Sequence, residues 1–491
     1  MSNADLFCTR LVDMIDLRHP LAVLGSRMPW ETLEKTLASK FARRERAGAA
    51  VNVEDLFGSR MQVIGAGVAA AGRPRLSMRL MLSLLYLKHA FDVSDEELVE
   101  RWSENVVWQY FSGMEYYQPK LPCDGTQVGR FRTVIGEAGV GELLKATIDT
   151  AVAMKAVKPA EFKRVIVDTT VQEKAIAHPV DSRLLEIARH QVVRAAKAVG
   201  IELRQTYAKE GKSLRRKAGG YAHAKQFKRL RRAVKRQRTV LGIVLREVQR
   251  KRAEATSTSP AALARLDTLL ERAERIRTQQ RHDKNKLYAL HAPEVECIGK
   301  GKARKPYEFG VKTSLAVTHQ SGLMVGARTF PGNPYDGHIL NAQLEQTRIL
   351  LEDVGRVPTQ AVVDLGFRGV DADNPDVEII HRGKYKSLTK QQRRWLKRRQ
   401  AIEPAIGHCK QDNRMERCWL KGSLGDALHA VLCATGYNIR WLLRAITRLG
   451  VRLVFLRLFF GWLRGARNWL VIKQDVPGRQ LATMSGVSAA G

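Results

Sequence analysis

Three carboxylates stand where carboxylates are costly, each beside strand-like or basic sequence. Val165-Ile166-Val167 runs into Asp168, and Ala361-Val362-Val363 runs into Asp364. Glu403 follows in a segment that holds Arg399 on one side and Lys410 on the other. Short β-branched runs read as buried strands, and a charge at the end of such a strand needs a cationic partner. Two Asp and one Glu suit hard Mg2+ or Mn2+, which take oxygen ligands. Two such ions, ~3.5–4 Å apart, activate a water or a 3′-hydroxyl and stabilise the leaving oxygen of a phosphodiester. Taken singly, Asp168-Thr169-Thr170 and Asp364-Leu365-Gly366 read more simply as strand-to-turn caps. The combination with Glu403 and with the chain's charge favours metal chemistry.

Arg399, Glu403 and Lys410 share one face of an ideal helix. Pro404 disfavours helical geometry at Glu403, so the helix is expected to kink or restart there. Arg399 and Lys410 then flank the acid from two segments. Arg393, Arg394, Lys397 and Arg398 precede them with few acids nearby, which favours a phosphate-binding stripe over a salt-bridge network. His338 is a weaker candidate for contact with the site, and Asp336 beside it reads as a helix cap. The basic loop from Gly299 to Lys305 reads equally as a DNA-backbone contact and as a solvated linker. The chain has no GxxxxGK[ST] phosphate loop, so ATP is not implied.

These residues need a scaffold, and the chain is long enough to supply more than one. It has 491 residues, 44% of them hydrophobic and 27% charged, which is the composition of a folded globular protein. The balance of 83 Lys+Arg against 49 Asp+Glu gives a net charge of +34. That surplus makes nucleic acid the leading partner, because neutralised phosphates release counterions. An anionic membrane is the weaker alternative. Met1–Arg10 does not read as a secretory signal. The apolar stretch 451–463 is interrupted by Arg452 and Arg457, short of the ~20 residues a span requires, and reads as a buried or partner-facing helix. Six cysteines without a CxxC pair argue against disulfides and structural zinc, and for a cytosolic protein.

Helical periodicity dominates from about Pro29 to Ile135. The apolar helix Met78–Leu87 and the capping box Ser94-Asp95-Glu96-Glu97 have the spacing of a helix-turn-helix, a weak signal shared by many all-helical domains. A strand is expected over 161–172. From about Asp181 to Leu290 the pattern is helical and basic, with sixteen Lys/Arg and one acid between Lys212 and Arg252. Arg229, Arg232 and Lys235 are its leading DNA-binding candidates. Ser259-Pro260 starts a further helix, so a hairpin with its tip at Thr256–Ser259 is expected. A β-hairpin over 307–317 and 323–330 follows, then a helix from His338 to Val354, strands at 360–364 and 377–380, and helices over 391–410 and 425–447. The expected class is α/β: a mixed sheet with helices packed on it, interrupted by a long basic helical insertion and preceded by an all-helical N-terminal domain. The divisions are an N-terminal helical arm (1–60), a helical DNA-binding domain (61–155), a catalytic domain (160–180 and 300–425), the insertion (181–299), and C-terminal helices and tail (426–491). In such a sheet Asp168 and Asp364 lie side by side at the ligand-binding edge.

At these residues the chain resembles the DDE transposases of bacterial insertion sequences, in the large family numbered five. The pieces are Val165–Val171, Val363–Gly369 and the pattern Arg399-x3-Glu403-x6-Lys410, within a match from about 60 to 445. That pattern normally opens with Tyr; Leu396 stands there, with Trp395 beside it. Asp124–Arg132 resembles the segment that closes the family's N-terminal helical domain. The resemblance implies an RNase H-like catalytic domain split by a helical insertion. It implies binding of the element's terminal inverted repeats, metal-dependent cleavage at its ends, strand transfer into target DNA, and a homo-oligomer. Asp168, Asp364 and Glu403 are then catalytic metal ligands for Mg2+ or Mn2+, two ions being expected, and Arg399 and Lys410 hold DNA near the cut. Two alternatives stay open: a nuclease of the same fold that does not join strands, and a non-catalytic DNA-binding protein.

Overall fold

The computed structural model describes residues 9–41, 51–54, 60–63, 76–255, 259–301 and 305–474, with 51–54, 60–63, 254 and 451–474 described by backbone alone. Residues 256–258 at the expected hairpin tip, the centre of the basic loop (302–304) and the tail after 474 lie outside the described residues.

The chain begins with helices α1 (Leu11–Met14), α2 (Pro20–Arg27) and α3 (Trp30–Ala38), then a small antiparallel pair, β1 (Val51–Glu54) and β2 (Arg60–Val63). Helices α4 (Met78–Ala90), α5 (Asp95–Glu104), α6 (Val106–Phe111) and α7 (Gly125–Ala153) lead into β3 (Arg164–Glu173). Four helices follow: α8 (Asp181–Ala198), α9 (Ala208–His223), α10 (Phe227–Arg250) and α11 (Pro260–Thr278). The chain then returns through β4 (Glu296–Gly299), β5 (Tyr307–Thr318), β6 (Met324–Phe330), α12 (Asp336–Leu350), β7 (Gln360–Val362) and β8 (Glu378–Ile380). It ends in α13 (Lys390–Arg398), α14 (Ile402–Asp412) and the long α15 (Gly422–Gln474).

Six strands make one mixed sheet. At its centre β3 pairs antiparallel with β5, from Val165↔Thr318 to Glu173↔Gly310. On its other side β3 runs parallel to β7, which runs parallel to β8. The outer edge of β5 is shared by β6 and β4. The central run Val165-Ile166-Val167 is fully buried, as is Ala361-Val362-Val363 at β7. Strands covered on both faces read as unbroken apolar runs, which is why these two were visible in the sequence.

Helix α4 starts where the Ser77 hydroxyl accepts from the Leu80 amide, and every residue from Leu80 to Ala90 is buried. A helix apolar all round belongs in the middle of a protein, and α4 is packed against α15 and α7. Ser94 caps α5 by accepting from the Glu97 amide. The outer face of α5 carries exposed Glu96, Glu100 and Glu104 with Arg101 as its cation, an unfavourable surface for approaching phosphate. Helix α15 contacts α2, α4, α7 and β6, so a single apolar cluster runs from Leu21 through the sheet to Ile446. The insertion has a core of its own, built by Leu184, Val192, Leu241, Leu245, Leu266 and Leu270 among others. Ser259 caps α11 and Pro260 occupies its first position, as the sequence predicts. Helices α8 and α9 pack on the hairpin formed by α10 and α11, so the insertion is a four-helix unit. Among the described residues no helix is long and apolar enough to cross a membrane.

Candidate active site

The parallel pairing of β3 with β7 sets Ile166 opposite Val362. Two residues beyond that pair along each strand stand Asp168 and Asp364, so both carboxylates emerge at the same level of the same edge. Asp168 is still within β3, and its side chain is 16% exposed. It accepts from the Thr169 amide at 2.8 Å and from Arg399 Nη1 at 3.1 Å. Burial pushes its carboxyl up to about 6, and the neighbouring Asp364 charge acts in the same direction; the Thr169 amide, Arg399 and Lys300 oppose the rise. Asp364 sits just past β7 and caps the short turn Leu365–Phe367 by accepting from the Gly366 amide at 2.9 Å. Asp168 thus lies in the middle of β3 and not at the strand end that the sequence suggests, because the ladder with β5 continues to Glu173. Asp364 does stand past the end of β7, and both acids make the cap-type contacts of the simpler reading.

Glu403 approaches from a separate layer. The backbone passes from α13 through a tight turn at Arg399–Ala401 and restarts as α14 at Ile402. Pro404 then falls in the first helical turn, where backbone N–H groups have no intrahelical partner to lose. The expected restart is what the chain does. Glu403 is 63% exposed, with its Oε1 3.7 Å from Arg399 Nη2. A single guanidinium thus stands between Asp168 and Glu403. The oxygens of Asp168, Asp364 and Glu403 do not close into a set within 4.8 Å of one another; among the described residues only His89, His429 and Cys433 do so.

The remaining expected contacts divide into two groups. Lys410 lies 3.9 Å from the buried carboxylate of Glu308 on β5. Arg398 donates to the His319 carbonyl at 2.7 Å and to that of Gln320, so its guanidinium ties α13 to the β5–β6 turn. Trp395 carries Arg164 over its ring at 3.2 Å, and Leu396 packs on the main core. Arg394 and Lys397 are exposed on α13. On the insertion Arg229, Arg232 and Lys235 are exposed along α10; Arg229 donates to Gln226 at 3.0 Å. His338 is exposed and stands edge-on to Tyr335.

One acid at this edge escapes the sequence reading. Asp336 reads as a cap, yet the cap position of α12 belongs to Tyr335. The Asp336 carboxylate instead accepts from the Thr169 hydroxyl at 3.2 Å and from Lys312 Nζ at 2.9 Å. A methyl group built on Gly366 would lie 2.8 Å from Asp336 Oδ2 and 3.0 Å from Asp364 Oδ1, so the two carboxylates meet across that glycine. A helix-starting Asp after a Gly-Asn-Pro turn looks the same in sequence whether it caps or reaches elsewhere, and only the β5–α12 packing decides.

The donor set is all carboxylate oxygen: Asp168, Asp364 and Glu403, with Asp336 alongside. It fits a hard divalent cation and lacks the nitrogen and sulfur donors that softer ions select. Asp168 supports the fit, since a carboxyl lifted by burial gains most from a cation brought beside it.

Residues 51–134 match a family described as "Transposase domain (DUF772)", and residues 273–439 match one described as "Transposase DDE domain". The second match includes Asp364 and Glu403 and begins within the insertion, after Asp168 has passed. The chain is also 41% identical over 223 residues to an "Uncharacterized protein ORF8 in nfe locus" of Rhizobium meliloti, covering 45% of this chain and 95% of that protein. No solved structure matches the fold.

Proposed function

This chain belongs to the transposases that carry a DDE domain, and from that membership we propose that it binds the terminal inverted repeats of an insertion sequence, cuts the element's ends and joins the freed 3′-hydroxyls to target DNA. Its fold is RNase H-like, a mixed sheet interrupted by the helical insertion after the central strand. Transposition is the function the domains support, and DNA is its substrate. Placement in the insertion-sequence family numbered five is our reading of the Asp168, Asp364 and Arg399–Lys410 motifs.

The observation that carries the proposal is the β3–β7 register, which brings Asp168 and Asp364 to one edge with Arg399 linking Asp168 to Glu403. Asp168, Asp364 and Glu403 would hold divalent cations, Mg2+ or Mn2+, two in our reading. Cations of this class, when bound, polarise the scissile phosphate and make a water or 3′-hydroxyl acidic enough to attack it. The chain's own residues do the rest. Asp168 must be ionised to ligate, so the site gains competence as pH rises through about 6. Arg399 neutralises Asp168 in the free protein. Once the carboxylates are otherwise satisfied, its guanidinium is available to a phosphate, for which its planar fork is suited. Arg394 and Lys397 extend the positive surface along α13, and Arg229, Arg232 and Lys235 supply a second basic stripe for flanking DNA. Lys410, 3.9 Å from Glu308, would in our reading hold DNA near the cut.

The test supplies pre-cleaved element ends and a supercoiled plasmid. Joined product is the expected result. Hydrolysis without joining would identify a nuclease, and binding with neither would identify a non-catalytic DNA-binding protein.

A further inference from the structure

We propose that His89, His429 and Cys433 form a binding site for one zinc-type ion that ties α4 to α15, apart from the acidic edge and independent of the strand chemistry read there. His89 is the next-to-last residue of α4. His429 and Cys433 are one turn apart on α15 and so present side chains on the same face. One ligand atom from each falls within 4.8 Å of the other two. All three are buried, at 1%, 4% and 0% exposure. Cys433 Sγ is 3.7 Å from His89 Nδ1, and the two imidazole rings are 5.7 Å apart between centres.

His89 turns Nδ1 toward Cys433 Sγ, which makes Nδ1 its ligand atom, and its other nitrogen, Nε2, is buried with no hydrogen-bond partner among protein atoms. His429 differs at that nitrogen. Its Nε2 lies 2.9 Å from the Arg414 carbonyl; as a donor there it fixes the tautomer and leaves Nδ1 as a lone pair, the usual outer support of a metal-bound histidine. The helix crossing is built for close approach, since a methyl group on Gly436 would lie 2.4 Å from the His89 backbone.

Two imidazoles and a thiol form a borderline-soft donor set that selects Zn2+ and refuses Mg2+. Three protein ligands leave a fourth position for water, and a cleft lined by Lys88, Arg132, Arg414, His89 and His429 reaches the two rings from outside. Two carboxylates face the three cations on that cleft: Lys88 and Arg132 share Asp95, and Arg414 pairs with Asp92. Binding releases the Cys433 thiol proton to solvent, so the ion arrives with a thiolate that offsets half its charge.

Cobalt(II) is the probe, because sulfur-to-cobalt charge transfer reports a thiolate ligand and the carboxylate edge has none. Titrated into the reduced full-length protein, it should give that band, saturating at about one equivalent, and Zn2+ should displace it. Cys433→Ser should abolish the band while circular dichroism shows an unchanged fold. His429→Gln should weaken cobalt binding by more than the roughly 10–100-fold that outer-shell changes cost. No band in the native protein overturns the site, as does a band that survives Cys433→Ser. If Cys433→Ser does not fold, unchanged cobalt affinity in His429→Gln overturns it.

Discussion

Asp168 combines two properties that usually exclude each other: it is buried in a central strand, and it belongs to an edge that must carry charge. Burial holds its carboxyl near 6 against an ordinary 3.8. The ionised form is therefore a cost to the fold at neutral pH, and that cost is relieved as pH falls through about 6 toward the unfolded value. Asp168→Asn is expected to raise stability at pH 7 by roughly 1–3 kcal/mol, read as a higher denaturation midpoint, while abolishing cleavage. A lower midpoint would mean that the Arg399 pair outweighs the burial. Arg399 lowers the Asp168 pKa, so Arg399→Ala should shift the acid limb of the cleavage–pH profile to higher pH, beyond any loss in DNA affinity. A profile that falls in amplitude without moving would leave Arg399 a phosphate contact alone. The placement of Asp168 and Asp364 at one edge was legible because β-branched runs announce their strands. Asp336 and Lys312 were not, since their meeting depends on how β5 and α12 pack.

The elements that place these residues owe their precision to close backbone approaches. Gly310 on β5 is the sharpest: a methyl group there would stand 2.0 Å from the Gln172 carbonyl oxygen of β3. Gly310→Ala should destabilise the protein by about 1–3 kcal/mol and depress cleavage in step, measured by thermal unfolding beside activity. An unchanged unfolding midpoint would show that the β3–β5 seam is more compliant than its spacing indicates. Strand type, the hairpin of β5 and β6 and the restart at Pro404 could be read from local pattern. The three-residue lengths of β7 and β8 could not, because the apolar run continues past the last ladder pair and only hydrogen bonding ends the strand. The α4–α5 pair shows the same limit: helix, turn and cap were visible, but α4 is wholly enclosed and α5 turns glutamates outward, features that neither length nor spacing announces.

Across the molecule one continuous core joins the N-terminal helices, the sheet and α15, while the insertion keeps a separate one. The sequence showed the insertion by its charge and its loss of strand pattern; it hid the reach of α15 into the N-terminal helices, a contact between the two ends of the chain that no local pattern records. The exposed cations of α10 and its approach, Lys225, Lys228, Arg229, Arg231, Arg232 and Lys235, form a surface suited to DNA. Replacing all six with Gln should reduce the salt dependence of binding by roughly five units in log K per log salt, and an unchanged slope would remove the insertion from the DNA path. Asp364 can be changed to Asn with its cap contact to Gly366 retained through the side-chain oxygen. On element-end DNA with Mg2+, Asp364→Asn should bind as the native protein does and neither cut nor join. Cleavage by that variant at the native rate would contradict the assignment of the acidic edge as the catalytic site.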